Sequence, residues 1–243
     1  MDTAKKLLRQ VYLDQAVKHL VLNLGLLRRR ALGVDRRLVA GYLRAHATRK
    51  LHIGCGGNLH PGWLNSDLFP KSDAILHLDA TRPFPLPDAS FDYIFSEHMI
   101  EHVPYGAGHA MLRECMRVLK PGGRLRISTP DLRFLVDLCG SRPSAVQAEY
   151  IEWATRSFVP GAPYSDAVFV VNNFVRDWGH TFVYDEPTLR RSMERAGFRD
   201  VTACELGSSR DPNLHGLEHA TRIPLRFLAL ESMTLEATKP TAP

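Results

Sequence analysis

A short β-type run that ends in glycines constrains this chain more than any other feature. Leu51-His52-Ile53 is followed at once by Gly54-Cys55-Gly56-Gly57-Asn58, and glycines placed directly after a buried strand let the backbone approach a ligand. Two further β-type runs each end in a carboxylate: Trp63 to Ser66 before Asp67, and Ala74 to Leu78 before Asp79. A fourth run spans Phe91 to Phe95, a helical stretch follows over 106–119, Pro121-Gly122-Gly123 reads as a turn, and Arg124 to Ser128 as a fifth strand. Alternation of this kind predicts an α/β sheet with crossover helices. Ligands of such sheets bind at the carboxyl ends of the strands. Only about ten residues separate the first strand from the second, near the lower limit for a crossover, so the first helix is expected to be very short or absent. The glycine run is not the dinucleotide fingerprint. Leu59 breaks G-x-G-x-x-G, and Asp67 arrives earlier than the acidic residue ~20 positions on that a dinucleotide ribose needs. Hydride transfer is not expected.

Beyond the fifth strand the pattern loosens. Residues 131–184 hold helical segments and a polar, aromatic-rich stretch; a helix is predicted near Glu186 to Ala196, and strand-like runs over about 199–206 and 225–236. The predicted organisation is a helical arm over 1–48, a domain over 49–237 with a substrate-side insertion at about 131–184, and a disordered tail over 238–243. A chain of 243 residues suffices for one good core.

The formal charge is +5, and much of the excess precedes residue 51, at Lys5, Lys6, Arg9, Lys18, Arg28 to Arg30, Arg36, Arg37, Arg44, Arg49 and Lys50. Leu7, Leu8, Val11, Val17, Leu20, Val21 and Leu24 recur there at roughly helical spacing, so the arm reads as an amphipathic helix. Its basic face is either solvated or meets an anionic partner such as a membrane surface or nucleic acid. Its apolar face packs on the domain or on a second copy of the chain. No run of ~18 apolar residues exists to span a bilayer; Val21 to Leu27 is interrupted by Asn23 and Gly25. The start lacks the apolar stretch of a secretory signal, and the expectation is a cytoplasmic protein. Cys55, Cys115, Cys139 and Cys204 are scattered, without the spacing of a zinc site, and are expected reduced.

Five blocks carry a resemblance to a known family: Leu51 to Gly57; Gly62-Trp63-Leu64-Asn65-Ser66-Asp67-Leu68; Asp79-Ala80-Thr81 with Pro85 to Asp92; Ser96-Glu97-His98 with Glu101-His102; and Arg117-Val118-Leu119-Lys120-Pro121-Gly122-Gly123. Together they resemble the class I S-adenosylmethionine-dependent methyltransferases, most closely the methyltransferase type 11-like group associated with glycan and secondary-metabolite pathways. The resemblance is strong over 49–130 and weaker over 179–198. It implies a Rossmann-like, mostly parallel seven-stranded sheet with flanking helices and an antiparallel last strand. It also implies that Gly54 and Gly56 face the methionine part of S-adenosylmethionine, Asp67 the ribose and Asp79 with the Ala80 backbone the adenine. His52, Cys55, Asn58, Leu68, Ser96 and Glu97 complete the expected cofactor set. His52 stands where relatives commonly have an acidic residue, and Asn58 replaces the last glycine of the loop. A ribose diol offers two donors to one carboxylate, which suits Asp67.

A sulfonium methyl is already activated, so the protein has chiefly to align the acceptor and exclude water. A hydroxyl acceptor also needs a base, for which His98, His102 and His180 are candidates, with Asp177 in Asp177-Trp178-Gly179-His180 placed to orient the last. Each has a structural alternative as a hydrogen-bonded loop histidine. The Asp/Asn-Pro-Pro-Tyr box of many exocyclic-amine methyltransferases is missing after the fourth strand, as is a Pro-Cys nucleophile for cytosine C5 chemistry. A small-molecule or glycan oxygen is therefore the expected acceptor, with Trp153, Tyr164, Asn173 and Trp178 as candidate contacts. Asp131, Asp177 and Asp185 are too dispersed to predict a metal, and none is expected. Two other readings stay open: a cofactor-binding scaffold without turnover, and an RNA-modifying enzyme served by the basic arm.

Overall fold

The computed structural model describes residues 24–140, 142–218 and 223–241. Most of the predicted amphipathic arm therefore lies outside the described residues. Helix α1 is described over 24–31, and α2 covers Val34–Ala45. The sheet then builds from β1 (Lys50–Ile53), β2 (Leu64–Asp67), β3 (Leu76–His77), β4 (Phe91–Glu97), α3 (Tyr105–Val118) and β5 (Leu119–Pro130). A helical segment follows, with α4 (Leu132–Leu138), α5 (Ala145–Phe158) and α6 (Ala167–Arg176), before α7 (Glu186–Arg195), β6 (Arg199–Cys204), α8 (Leu225–Glu231) and β7 (Ser232–Thr238).

The seven strands lie in the order β3-β2-β1-β4-β5-β7-β6. Pairs from β3 through β5 are parallel, and β7 inserts antiparallel between β5 and β6. This is the expected mostly parallel seven-stranded sheet with an antiparallel last strand. No helix separates β1 from β2, in accord with the short spacing. One sheet face buries Leu51, Ile53, Ile94, Leu125, Ile127 and Leu235, each at most 1% exposed, against Met111, Leu112 and Cys115 of α3 and Leu189 and Met193 of α7. Truncating any one of the large aliphatic residues to alanine would cost ~2–5 kcal/mol. The opposite face alternates with the first, as a two-residue strand period requires. There, among the described residues, His52, Tyr93, Phe95 and Arg126 are covered by the loop after β6, through Leu214 and Leu217 and through Glu218, which pairs with Arg126.

Several boundaries differ from the sequence reading. The third strand keeps only two residues. Pro121-Gly122-Gly123 is not a turn: β5 runs through it, with a register shift opposite Phe91 and Tyr93 that absorbs the irregularity, and Gly122 supplies the left-handed φ of 77°. Residues 225–231 form a helix, because Phe227, Leu228 and Glu231 at helical spacing turn inward together. The tail is held further than expected: Lys239 N–H donates to Gly123 O at 2.8 Å, and Gly122 N–H to Lys239 O at 2.9 Å. Arg29 is not part of a solvated basic run. It is 6% exposed and binds Asp35, Asp73 and the carbonyls of Ser72 and Ile75, tying the arm to the β3 edge.

The helices of the 132–176 segment start where side chains satisfy their first N–H groups. Asp131 caps α4, Ser144 and Gln147 form a capping box on α5, Asp166 caps α6, and Asp185 caps α7. Asp131 and Asp185, two of the dispersed carboxylates, are thereby accounted for as caps. These helices pack around Phe134, Tyr150, Phe174 and Phe227, forming a cap beside the carboxyl ends of β4 and β5.

Candidate functional site

The glycine turn after β1 is shaped by two neighbours. Gly54 has φ 73°, and a Cβ placed on it would fall 2.4 Å from Met99 Cγ, so only glycine fits both the conformation and the space. Gly56, at φ 53°, donates its N–H to Asp67 Oδ2 at 2.8 Å, while Phe69 N–H donates to Oδ1 at 2.8 Å. These bonds fix the Asp67 carboxylate at the end of β2 and leave lone pairs on both oxygens. Leu68 and Phe69 beside it are exposed at 42% and 48%. Asn58 closes the turn through its N–H to Cys55 O at 2.7 Å. Cys55 is buried, and burial with the neighbouring Asp67 charge pushes its thiol up to about 11; it is neutral and inert at pH 7. Asp79 accepts from the Thr81 backbone and hydroxyl at 2.9 and 2.6 Å, with Ala80 half-buried behind it. At the end of β4, Ser96 pairs in register with Ile53, and its hydroxyl is buried with no hydrogen-bond partner among the described residues.

His52 sits elsewhere. It is 1% exposed, its Nδ1 lies 3.2 Å from Asn65 Oδ1, and its ring packs on His60 and Phe95. It belongs to the buried aromatic layer on the loop-covered face, because its strand neighbours Leu51 and Ile53 take the other face. Glu97 follows Ser96, 9% exposed, on that same loop-covered side.

Beyond β4 the chain turns sharply at His98, whose φ is 45°, and runs through Met99 into a 3-10 turn, Ile100–His102. This turn assembles a polar cluster at the carboxyl end of the sheet. Glu101 is fully buried. Its Oε2 accepts from Thr129 Oγ1 at 2.9 Å, and Oε1 lies 3.4 Å from His98 Nδ1 and 3.9 Å from His102 Nε2. His98 Nε2 reaches Ser232 Oγ at 3.0 Å, while its Nδ1 faces Glu101 at ion-pair distance. Burial opposes the charged form of His98, but the adjoining Glu101, with Glu231 and Glu97 nearby, holds its pKa above the ordinary histidine value. Burial likewise opposes the Glu101 carboxylate, yet the His98 ring and the His98 and His102 charges hold its pKa below the usual range. Each of the two thus favours the charged form of the other.

His180 approaches from the loop after α6. Its Nδ1 is 2.6 Å from Phe174 O, which places the proton on Nδ1 and a lone pair on Nε2. Its ring meets His102 at 4.9 Å between centroids and lies against Phe174 and Trp178. Burial lowers its pKa, Glu101 offsets part of this, and His102 and His98 add to the lowering. Asp177 does not orient this imidazole as its sequence neighbourhood suggested. Its carboxylate accepts from Asn173 Nδ2 at 2.9 Å instead, because Asp177 ends α6 and its side chain folds back one turn. Glu101 is the carboxylate that serves the cluster.

The candidate acceptor contacts scatter. Trp178 borders the cluster, 43% exposed, packed on Phe158 and Phe174. Trp153 is packed into the cap against Tyr150, Phe158 and Phe227, and Asn173 is 9% exposed and spent on Asp177; both are structural in this arrangement. Tyr164 is 63% exposed, edge-on to Phe169. Residues missed in the sequence are Thr129, Ser232 and Glu231. Glu231 is 2% exposed, hydrogen-bonded by Tyr150 OH, and burial pushes its carboxyl up to about 6. Nothing local marks them, since Thr129 and Ser232 arrive on strands β5 and β7 and Glu231 at the end of α8, all distant in sequence from His98 and Glu101.

Residues 51–127 match the family described as "Methyltransferase domain". The chain is 33% identical over 114 residues to a ubiquinone biosynthesis O-methyltransferase of Nitrosococcus oceani, a match that takes in 36% of this chain and 48% of that protein. The chain thus spans about half the length of that relative. Among solved structures, a S-adenosylmethionine-dependent methyltransferase of Thermotoga maritima is similar at TM-score 0.46 and 19% identity, over 91% of this chain and 99% of that one. Phosphoethanolamine N-methyltransferase 2 of Haemonchus contortus, solved with S-adenosyl-L-methionine, is similar at TM-score 0.43 and 16% identity, over 80% of this chain and 49% of that one. Residues 51–127, which run from β1 into β5, thus match a methyltransferase domain, and they lie in a mostly parallel seven-stranded sheet of the order β3-β2-β1-β4-β5-β7-β6.

Proposed function

We propose that this protein methylates a hydroxyl of a small molecule or glycan with S-adenosylmethionine as donor. The observation that carries the reading is a contact: Met99 lies against Gly54 and leads directly into the 3-10 turn that carries Glu101 and His102, so the cofactor-type glycine turn adjoins the cluster that His180 completes. The residues fit the cofactor. The Cβ position of Gly56 opens on space with no neighbour within 4 Å, the Ser96 hydroxyl is buried without a partner among the described residues, and the Asp67 carboxylate is held by two backbone N–H groups with capacity for further donors. Gly54, Gly56 and Ser96 would hold its amino-acid end, Asp67 its ribose, and Leu68 with Asp79 and Ala80 its base. When bound, S-adenosylmethionine supplies a methyl group already activated by the sulfonium charge.

The chain's own contribution is to place the acceptor and take its proton. His180 suits the base role: its Nδ1 is fixed by the Phe174 carbonyl, its pKa is lowered so that the ring is neutral at pH 7, and its Nε2 carries the lone pair. His98, set between Ser232 Oγ at 3.0 Å and Glu101 Oε1 at 3.4 Å, holds Glu101 in position. Trp178 offers a flat apolar face for a sugar or aromatic ring. The Nitrosococcus oceani relative, named as an O-methyltransferase, is in keeping with an oxygen acceptor.

The test is transfer of a labelled methyl group to a panel of phenols, sugars, lipid-linked glycans, amines and RNA. Ether formation on a hydroxyl acceptor, lowered about 100-fold or more in His180→Ala, is the expected result. Exclusive methylation of an amine or of RNA would overturn it. So would near-wild-type turnover in His180→Ala, His98→Ala and their double variant. Cofactor binding with no turnover on any acceptor would favour the scaffold reading.

A further inference from the structure

Glu101, His102 and His180 form a cluster whose ligand-type atoms all lie within 4.8 Å of one another. Glu101 is 0% exposed, and its Oε1 faces this cluster with no hydrogen-bond partner among the described residues; the neighbouring His98 and His102 nitrogens stand at 3.4 and 3.9 Å. His98 balances the charge of this carboxylate, but neither neighbouring nitrogen completes a hydrogen bond to Oε1, so that oxygen keeps a lone pair to offer a ligand. The other oxygen is already taken by Thr129, which fixes the carboxylate plane and aims Oε1 at the histidines. His180 is prepared in the same way: the Phe174 carbonyl occupies Nδ1 and leaves Nε2 as an electron-pair donor. A backbone carbonyl behind a ring nitrogen is the usual outer support of a metal-bound histidine. Gly179 lets the two rings meet. Its φ is 79°, and its Cβ position lies 3.7 Å from His102 Nδ1, so the loop passes close over His102 before presenting His180.

We propose that Glu101, His102 and His180 bind one divalent transition-metal ion that leaves a coordination position open to the acceptor oxygen. Ligand atoms of a tetrahedral site with bonds of 2.0–2.2 Å lie roughly 3.3 Å apart, so a small closure of the 3-10 turn and the 177–180 loop completes the set. Two imidazoles and one carboxylate favour zinc, cobalt, manganese or iron over magnesium or calcium, which take oxygen ligands. The ion's role rests on the hydroxyl-methylation reading. An alcohol oxygen on the open position loses its proton to solvent water and keeps both electrons of the broken O–H bond, because the ion stabilises the resulting alkoxide. His180 then acts through the ion rather than as a free base. The binding site itself does not depend on that reading.

The experiment uses the full-length, tag-free protein freed of metal by a chelator, with circular dichroism to show that it stays folded. Titration with Co2+, followed by its visible absorption and by calorimetry, should give one ion per chain with the intense bands of a four- or five-coordinate site. His102→Ala and His180→Ala should each weaken binding by at least about tenfold; His102 is exposed and its variant carries little folding risk. No binding below millimolar Co2+, or binding equal in wild type and both variants, would overturn the site. Undiminished hydroxyl methylation by metal-free protein would overturn the activating role and leave the proposed function intact. Cobalt binding that depends on both histidines, with no methyl transfer to any hydroxyl, would uphold the site and overturn the function.

Discussion

Gly54 and Met99 touch so closely that a Cβ on the glycine would lie 2.4 Å from the methionine Cγ, and this contact locks the turn after β1 to the segment after β4. Gly54→Ala must therefore both strain a backbone at φ 73° and displace Met99. The strain alone costs ~1 kcal/mol or more. Affinity for S-adenosylmethionine should fall about tenfold or more, measured by titration calorimetry. A Gly54→Ala, Met99→Ala double variant should recover only part of it, since the clash is relieved and the φ is not.

Asp67 holds the same turn from the other side by accepting from Gly56 and Phe69. Asp67→Ala removes both bonds and the charge, and Asp67→Asn keeps one acceptor oxygen. Cofactor affinity should drop by several-fold or more in both, with alanine the weaker, a loss of about 1–3 kcal/mol for bonds to a charged group. Unchanged affinity in the alanine variant would remove Asp67 from the site.

Glu231 makes a pH-dependent stability difference measurable. Burial raises its carboxyl from the ordinary 4.5 to about 6, so between these values the native state binds more protons than the unfolded chain. Its contribution to stability therefore falls as pH rises from about 4.5 to about 6 and stays low above. Glu231→Gln keeps an oxygen for the Tyr150 hydroxyl and lacks the charge. It should be more stable than wild type by about 1–2 kcal/mol at pH 7.5, and the gap should close at pH 4.5, as read by urea denaturation.

Arg126 is fully buried between Glu218 and Glu236, at 2.7 and 2.6 Å, and also binds Ser208 O. Burial opposes its charge, but the two carboxylates hold its pKa above the ordinary arginine value. Arg126→Met leaves Glu218 buried with its cation gone and should lose about 3–5 kcal/mol. Because Glu218 and Ser208 belong to the loop after β6, hydrogen exchange should show residues 207–218 opening first. A small loss with unchanged loop protection would mean that Leu214 and Leu217 alone hold the loop.

The site was unequally legible in the sequence. The Gly54 turn, Asp67 and Asp79 follow from runs of a few residues, where strand period and glycine placement act locally, and the short β1–β2 spacing announced the missing helix. Glu101-His102 was visible as a pair, but not that Glu101 is the buried hub. Its partners Thr129 and His180 come from other elements, and Ser232, which braces His98, stands 134 positions further on. Helix α8 was misread as strand because Leu225 to Glu231 is a short apolar run, which periodicity alone does not assign. Asp177 looked like the partner of His180 by proximity in sequence, and the helix end turned it toward Asn173.

The sequence by itself determined the α/β alternation, the ligand-type turn and the resemblance to a cofactor class, since each depends on neighbouring residues and a fixed period. Which histidine has a lone pair to offer, which carboxylate is buried among the rings, and which face His52 takes were decided only by the tertiary structure. Those properties depend on dielectric surroundings and on hydrogen bonds between strands and loops distant in the chain, and they exist only once the sheet is assembled.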